Sequence, residues 1–348
     1  MFFKDISAHE NIKNRLRSFA FTGKIPHALL FEGTPGVGKF ATARAFAQYI
    51  HCTGRSASDE DSCGECPSCI QHQNMGHIDT IYVFPVLKTD SLTKPTSDDY
   101  LPEWVEYIKG RKYMDFDAWT KAIERDKKNP QPITYVNESA ALLHKLSFAS
   151  HGSKFKIVLW WLPEKMNIEA DNKLLKLLEE TWEDTLFILV SDKPEDILPT
   201  ISSRLQKISF SRLSDSTVAG ILENEAGVSP ESSLSVAHCA DGSVSTALKN
   251  LGNLGDEGVY LERFISLMRL AYQRKIAELR KWSEDLTALG REKEIRFYEY
   301  CSRLIRENFI FNFKLPQLNY LSLSESQFSV NFARFINERN VEKLIEVF

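Results

Sequence analysis

The 348-residue chain contains no run approaching the ~18 apolar residues of a membrane span, so no membrane association is expected. The opening stretch, MFFKDISAHE, has neither a long apolar core nor a cleavage site and does not read as an export signal. Cysteine is scarce, at six residues. Without export, those thiols are expected to be metal ligands or buried groups rather than disulfides. Positive charge is not in surplus either: the formal net charge is −4. The chain therefore exerts no global pull on nucleic acid, and any DNA contact must come from a local patch or through partners. Hydrophobic content of 43% and charged content of 26% are ordinary for a globular protein. The length calls for two or three domains in a cytoplasmic protein.

Residues Gly33 to Phe40 read GTPGVGKF, a phosphate-binding loop complete except at its last position. The pattern G-x-x-x-x-G-K-[ST] uses Gly33, Gly36 and Gly38 so that backbone N–H groups can wrap a phosphate. It uses Lys39 to reach the outer phosphates and a hydroxyl to hold Mg²⁺. Phe40 stands where the hydroxyl belongs, and a phenyl ring cannot ligate a hard cation. The context is right for the motif: a buried strand at His27–Glu32 leads into the loop, and an alanine-rich helix follows at Lys39–Tyr49.

Cys52, Cys63, Cys66 and Cys69 are spaced C-x₁₀-C-x₂-C-x₂-C. Two tight C-x₂-C steps and one distant cysteine suit a tetrahedral four-thiolate zinc site; the alternative is four free thiols. Four thiolates leave no open position, so such a site is structural. His51, His72 and His77 lie near enough in sequence to replace a thiolate, although four cysteines suffice. Cys239 and Cys301 fall in expected helices and read as core thiols.

A helix is expected at Asn11–Gly23, from Ile12, Leu16 and Phe19. Further strands are expected at Thr80–Val86, Lys154–Leu162 and Thr185–Ser191, with helices at Ser139–Phe148 and Ile168–Glu180. This alternation predicts an α/β core with a parallel sheet and helices on both faces. Residues Leu87–Pro132 bear Trp104, Tyr107, Tyr113, Phe116 and Trp119 and read as a surface insertion of one or two short helices packed on the body; a binding element is the alternative. Strands end after Phe210. Short helices follow at Thr217–Glu225, Ser232–Cys239 and Ser243–Asn250, and long amphipathic stretches at Tyr260–Glu278 and Glu292–Glu307. The expected division is an α/β core with its zinc module (1–210), a helical lid (211–255) and an all-α C-terminal domain (256–348).

A phosphate loop followed closely by a Cys₄ loop resembles the AAA+ subunits of bacterial DNA polymerase III clamp loaders. Three more segments carry the likeness: HALLFEGTPGVGK, the helix from Asn172 to Glu180 (NKLLKLLEE), and Leu198–Gln206 (LPTISSRLQ). Gly242-Ser243 with Ala247-Leu248 is similar to the second-sensor helix. The resemblance covers residues 1–84 and 133–255. Residues 87–132 have no counterpart in it.

The resemblance also exposes losses. An ATPase of this fold needs an acidic pair ending its second core strand, and those positions hold Trp161 and Leu162. Glu164 matches the family's non-catalytic glutamate, and the second-sensor arginine is replaced by Ser245. Lys39 alone cannot neutralise a transferring phosphoryl group, so no Mg·ATP turnover is expected. Weak nucleotide or phosphate binding by the loop stays open.

Arg204 falls where loader subunits present an arginine finger to a neighbour's ATP; a capping or surface arginine is the alternative. The resemblance thus implies an inactive stator within the DNA polymerase III holoenzyme. It would donate Arg204 in trans to an ATP-bearing gamma/tau subunit, join a collar through its C-terminal domain and hold Zn²⁺ structurally. Implied partners are the gamma/tau and delta subunits and, through the complex, the sliding clamp and primed DNA. The alternatives are an ATP-hydrolysing gamma/tau-type subunit and an unrelated P-loop regulatory protein. The first requires Ser or Thr at Phe40; the second should lack the Cys₄ loop.

Overall fold

The computed structural model describes residues 1–348 except 57–58, 125–129, 149, 151, 180–183 and 316–317. It forms two compact units, Met1–Leu213 and Ser214–Phe348.

In the first unit, α1 (Glu10–Thr22) precedes β1 (Ala28–Glu32), α2 (Lys39–His51), α3 (Pro67–Gln73) and β2 (Thr80–Val83). Then come α4 (Leu101–Ile108), α5 (Phe116–Ile123), α6 (Asn137–Ser147), β3 (Lys156–Trp161) and α7 (Ile168–Glu179). The unit closes with β4 (Thr185–Ser191), α8 (Pro199–Ser202) and β5 (Gln206–Ser209). The strands make one parallel sheet of order β2-β3-β4-β1-β5. Leu30 lies opposite Leu189, and Val158 opposite Phe187.

The strands are apolar almost throughout because both faces are covered. Successive side chains point to opposite faces. Leu30, Val158, Trp160, Phe187 and Leu189 share a core cluster with Leu142 and Leu146 of α6 and Leu174, Leu177 and Leu178 of α7. Trp161, one residue on, lies on the other face in contact with Phe40 of α2. Helix α2 is buried all round, Ala41, Ala43, Ala45 and Ala47 among its buried residues, as befits a helix enclosed by the unit.

Several expected boundaries move. Strand β2 ends at Val83; Val86 instead makes an isolated antiparallel bridge with Ile133, which closes the base of the intervening segment. Strand β5 begins two residues after Arg204 and was not anticipated; of its four residues only Ile208 is buried. Glu180, at the end of the NKLLKLLEE motif, lies outside the described residues.

The described part of residues 87–132 carries two short helices packed on the body, as expected, and the packing is deep: Trp104 and Trp119 are fully buried, and Tyr113 nearly so. Each short helix carries aromatic residues three apart, Trp104 with Tyr107 and Phe116 with Trp119. That spacing puts them on one face, which packs inward.

The second unit holds α9 (Asp215–Ala226), α10 (Pro230–Cys239), α11 (Val244–Tyr272), α12 (Ile276–Thr287), α13 (Arg291–Phe311), α14 (Leu323–Phe332) and α15 (Val341–Val347). The expected stretch Tyr260–Glu278 is split between α11 and α12, with Arg274 in the left-handed region at φ 54°. The expected divide between residues 255 and 256 falls inside α11. Phe264, Phe297, Cys301, Leu304 and Ile305 centre this unit's core. Burial pushes the Cys301 thiol far up, as suits a core thiol.

Candidate functional site

The phosphate loop has its expected backbone. Gly33, Gly36 and Gly38 take φ values of 141°, 75° and 92°, in the region that favours glycine. A Cβ at Gly33 would stand 2.4 Å from the Phe210 carbonyl oxygen, so no side chain fits there.

The lysine, however, is already occupied. The Lys39 Nζ donates to the carbonyl oxygens of Gly33 (2.6 Å) and Thr34, and it pairs with Asp192 Oδ1 at 2.8 Å. An ammonium has three donors, and here the chain itself takes all three. Burial pushes Lys39 below the usual lysine range, while Asp192 and the more distant Glu164 pull it back up. Asp192 is held in turn by Glu164, whose Oε1 accepts from the backbone N–H groups of Asp192 (2.8 Å) and Lys193 (3.1 Å). Asp192 thus supplies the negative charge that a phosphate would bring.

Aromatic groups fill the metal side. Phe40 is 2% exposed and meets Trp104 edge to face at 5.6 Å between centroids. It also meets Trp161 at 6.4 Å and Tyr82 at 6.5 Å. Trp104 stacks on Phe84 at 4.1 Å and meets Trp161 at 5.3 Å. Two polar edges of this cluster are tied to backbone, Trp119 Nε1 donating to the Pro85 carbonyl and Tyr107 Oη to that of Asp115. The buried Trp104 Nε1, by contrast, has no hydrogen-bond partner among the described residues. Arg44 of α2 donates to the Ile108 carbonyl at the end of α4 (2.9 Å), fastening the inserted helix to the helix that carries Lys39. Tyr113 reaches over Gly38, its Cε1 3.8 Å from where a Cβ would stand. Phe40 and Trp161, which the sequence motifs place where metal ligands are expected, are therefore joined through Trp104 of the insertion.

Arg204 sits just before β5 with its side chain 38% exposed. One guanidinium nitrogen donates to the Thr200 carbonyl and the other pairs with Glu179 Oε1, both at 2.6 Å. An exposed pair of this kind contributes about 0–1 kcal/mol, so its release is cheap. In the second unit, Ser245 lies in the first turn of α11, its hydroxyl 3.2 Å from that of Ser243, which caps the helix.

The four cysteines converge. Their Sγ atoms all lie within 4.8 Å of one another, with Cys52–Cys63 at 3.5 Å and Cys63–Cys69 at 3.9 Å. Zinc–thiolate bonds of ~2.3 Å in a tetrahedron would set sulfurs about 3.8 Å apart, so the donor set fits zinc. Backbone N–H groups of Cys63, Cys66 and Cys69 point at the sulfurs of Cys52, Cys63 and Cys66, which favours thiolates. Burial raises the Cys66 thiol, but hydrogen bonds from the Cys69 N–H and Thr53 outweigh it and bring it to about 5, while burial raises Cys52 and Cys69. A Cβ on Gly54 would come within 2.8 Å of the Cys63 sulfur, so the chain passes closer to that thiol than any other residue allows.

His51, His72 and His77 do not join the thiolates. They gather in a cluster of their own, one ring nitrogen from each within 4.8 Å of the others. Burial lowers all three, His51 to about 4, which keeps the rings neutral at ordinary pH.

The family model described as "DNA polymerase III, delta subunit" matches residues 8–214. The chain belongs to that family. It is 27% identical over 254 residues to the DNA polymerase III subunit tau of Bacillus subtilis, a match covering 72% of this chain and 37% of that protein. Over 252 residues it is 26% identical to the Escherichia coli subunit tau, covering 71% and 32%. With the delta' subunit of Pseudomonas aeruginosa it shares 29% identity over 178 residues, 51% of this chain and 41% of that one. The chain spans about a third of the length of these tau relatives. Membership of this family and the parallel P-loop sheet agree with the AAA+ class read from the sequence motifs. Among the described residues, no helix is long and apolar enough to cross a membrane.

Sequence reasoning missed Asp192, Gly54, the pairing of Glu179 with Arg204 and the filling role of Trp104 and Tyr113. None has a local signal. Asp192 follows a buried strand, Glu179 ends a helix, and the aromatic residues find their partners only across the fold.

Proposed function

We propose that the chain is the ATPase-inactive stator, of delta-prime type, in a DNA polymerase III clamp loader, where it helps place the sliding clamp on primed DNA. The observation that supports this most directly is Lys39, whose three donors are taken by Gly33, Thr34 and Asp192 beside an aromatic filling at Phe40. Phosphoryl transfer needs charge neutralisation by lysine, metal and arginine together. This loop offers no side chain to hold the metal, and its lysine is engaged.

In this reading the working group is Arg204. On docking beside an ATP-bearing gamma/tau subunit, its guanidinium would exchange Glu179 for oxygens of the transferring phosphoryl group and stabilise the charge spreading there. Thr200 keeps a second hydrogen bond to the guanidinium and limits its rotation. Zinc would be held by Cys52, Cys63, Cys66 and Cys69, and bound there it would supply structural cross-linking of a loop poor in apolar residues. Residues 211–255 would serve as the lid and 256–348 as the collar contact with the gamma/tau and delta subunits.

The longer match to tau subunits favours the alternative, an ATP-hydrolysing gamma/tau-type subunit; Phe40, Trp161 and Leu162 weigh against it. In a reconstituted loader, Arg204→Ala should lower clamp- and DNA-stimulated ATPase at the neighbouring subunit's site by ~10³-fold or more, the range an arginine finger contributes. The chain alone should release no phosphate. Undiminished ATPase in the variant complex sinks the finger role, and turnover by the isolated chain sinks the inactive reading.

A further inference from the structure

We propose that His51, His72 and His77 form a second metal site, separate from the four-thiolate cluster, that takes a divalent ion of the zinc type. The three residues come from different places in the first unit: the last residue of α2, the interior of α3 and the loop before β2. Three imidazoles from separate elements, almost fully buried at 4%, 6% and 7% exposure, bring one ring nitrogen each to within 4.8 Å of the others.

The donor geometry suits an ion. His51 Nε2 donates to the Phe155 carbonyl at 2.8 Å, which leaves Nδ1 as its lone-pair atom. An outer N–H on a backbone carbonyl is how a metal-binding histidine is usually oriented. That Nδ1 faces His72 Nε2 at 2.9 Å. Without an ion, the His72 proton fills the gap between them. On metal entry that proton shifts to Nδ1 of His72, and both lone pairs turn to the ion. Zinc–nitrogen bonds of ~2.1 Å set ligand nitrogens about 3.4 Å apart, a small adjustment from a cluster spanning at most 4.8 Å.

His77 stacks on both other rings, at 4.2 and 4.3 Å between centroids, with its Nδ1 accepting from the Asp79 N–H at 3.2 Å and its Nε2 3.0 Å from the Ser68 hydroxyl. To ligate, its ring must turn out of the stack and give up one of these partners. It also lines a cavity of about 420 Å³ together with Asp79, Thr80, Tyr82, Lys145 and Lys156. The cavity gives a hydrated ion a route to the cluster. Asp79, itself 3% exposed, places a carboxylate next to the imidazoles where an entering cation needs a counter-charge. Imidazole donors suit zinc, copper, nickel and cobalt better than calcium or magnesium. The inference holds whichever loader subunit the chain is.

Titrating the chelator-stripped full chain with Co²⁺ separates the two donor sets, because thiolate ligation gives an intense near-ultraviolet band that imidazole ligation lacks. The band should saturate at about one equivalent, while bound metal counted after dialysis reaches about two per chain. Zn²⁺ should reach the same total. His72→Gln and His77→Gln should each bring the total to about one with the band unchanged. His72 lies in α3 beside the thiolates, so a loss of the band in that variant signals local misfolding. His77, in the loop, then decides. Metal content that stops at about one in the wild type, or stays at about two in His77→Gln, overturns the second site.

Discussion

Restoring the hydroxyl of the phosphate loop should damage this protein rather than repair it. In Phe40→Ser, a ring that is 2% exposed is replaced by a side chain too short to touch Trp104, Trp161 or Tyr82. Truncating a core phenylalanine costs about 3–5 kcal/mol, and each aromatic pair that it breaks is worth about 0.5–1.5 kcal/mol beyond burial. The new hydroxyl faces apolar rings, which adds to the cost. A loss near 4 kcal/mol would lower the melting temperature of a unit this size by about 8–16 °C. Guanidinium unfolding followed by near-ultraviolet circular dichroism reads the aromatic cluster, which belongs to the first unit alone. Nucleotide binding should not appear in parallel, because Trp161 and Leu162 still supply no carboxylate and Lys39 remains tied to Asp192. Adding Trp104→Ala closes a double-mutant cycle whose coupling should be about 0.5–1.5 kcal/mol. A cost below about 1 kcal/mol, or micromolar Mg·ATP binding by Phe40→Ser, would falsify the filled-site reading.

Glu138 should make stability fall as pH rises. Its Oε2 accepts from the Ser97 N–H at 2.6 Å, and burial pushes its carboxyl from 4.5 up to about 7. Because the folded value is raised, its contribution is complete below about pH 4.5 and is lost as pH passes through about 7, an effect of about 3 kcal/mol. Glu138→Gln should flatten that decline between pH 5 and 8 in denaturant titrations; an unaltered slope contradicts the assignment. Gly54→Ala should force the Cys63 sulfur aside and weaken zinc retention against a chelator by ~10-fold or more, and an unchanged dissociation constant would show that the loop yields freely.

Legibility in the sequence followed the range of the interactions. The central strands were readable because burial on both faces leaves runs such as KIVLWW and TLFILVS. The Cys₄ cluster was readable because three of its ligands lie within seven residues. Strand β5 was not, since an edge position lets three of its four residues stay exposed. Aromatic residues at 104–119 were visible as such, but helical spacing shows only that they share a face, not what that face meets. Their partners Phe40 and Trp161 are tens of residues away in either direction. The Lys39–Asp192 pair spans still more chain, and no local pattern reports it.

The aromatic segment packed on Phe40 and Gly38 of the phosphate loop would act as a ligand carried on the same chain. Tethered ligands compete at effective concentrations of millimolar or more, whatever the solution contains. If displacing this one costs the ~3–5 kcal/mol of exposing a core aromatic, the apparent affinity of any nucleotide falls by about two to three and a half decades. Swings in cellular ATP and ADP would then leave this subunit's conformation unmoved. In the ring proposed above, it would provide a reference frame that does not keep time with the members that cycle with nucleotide.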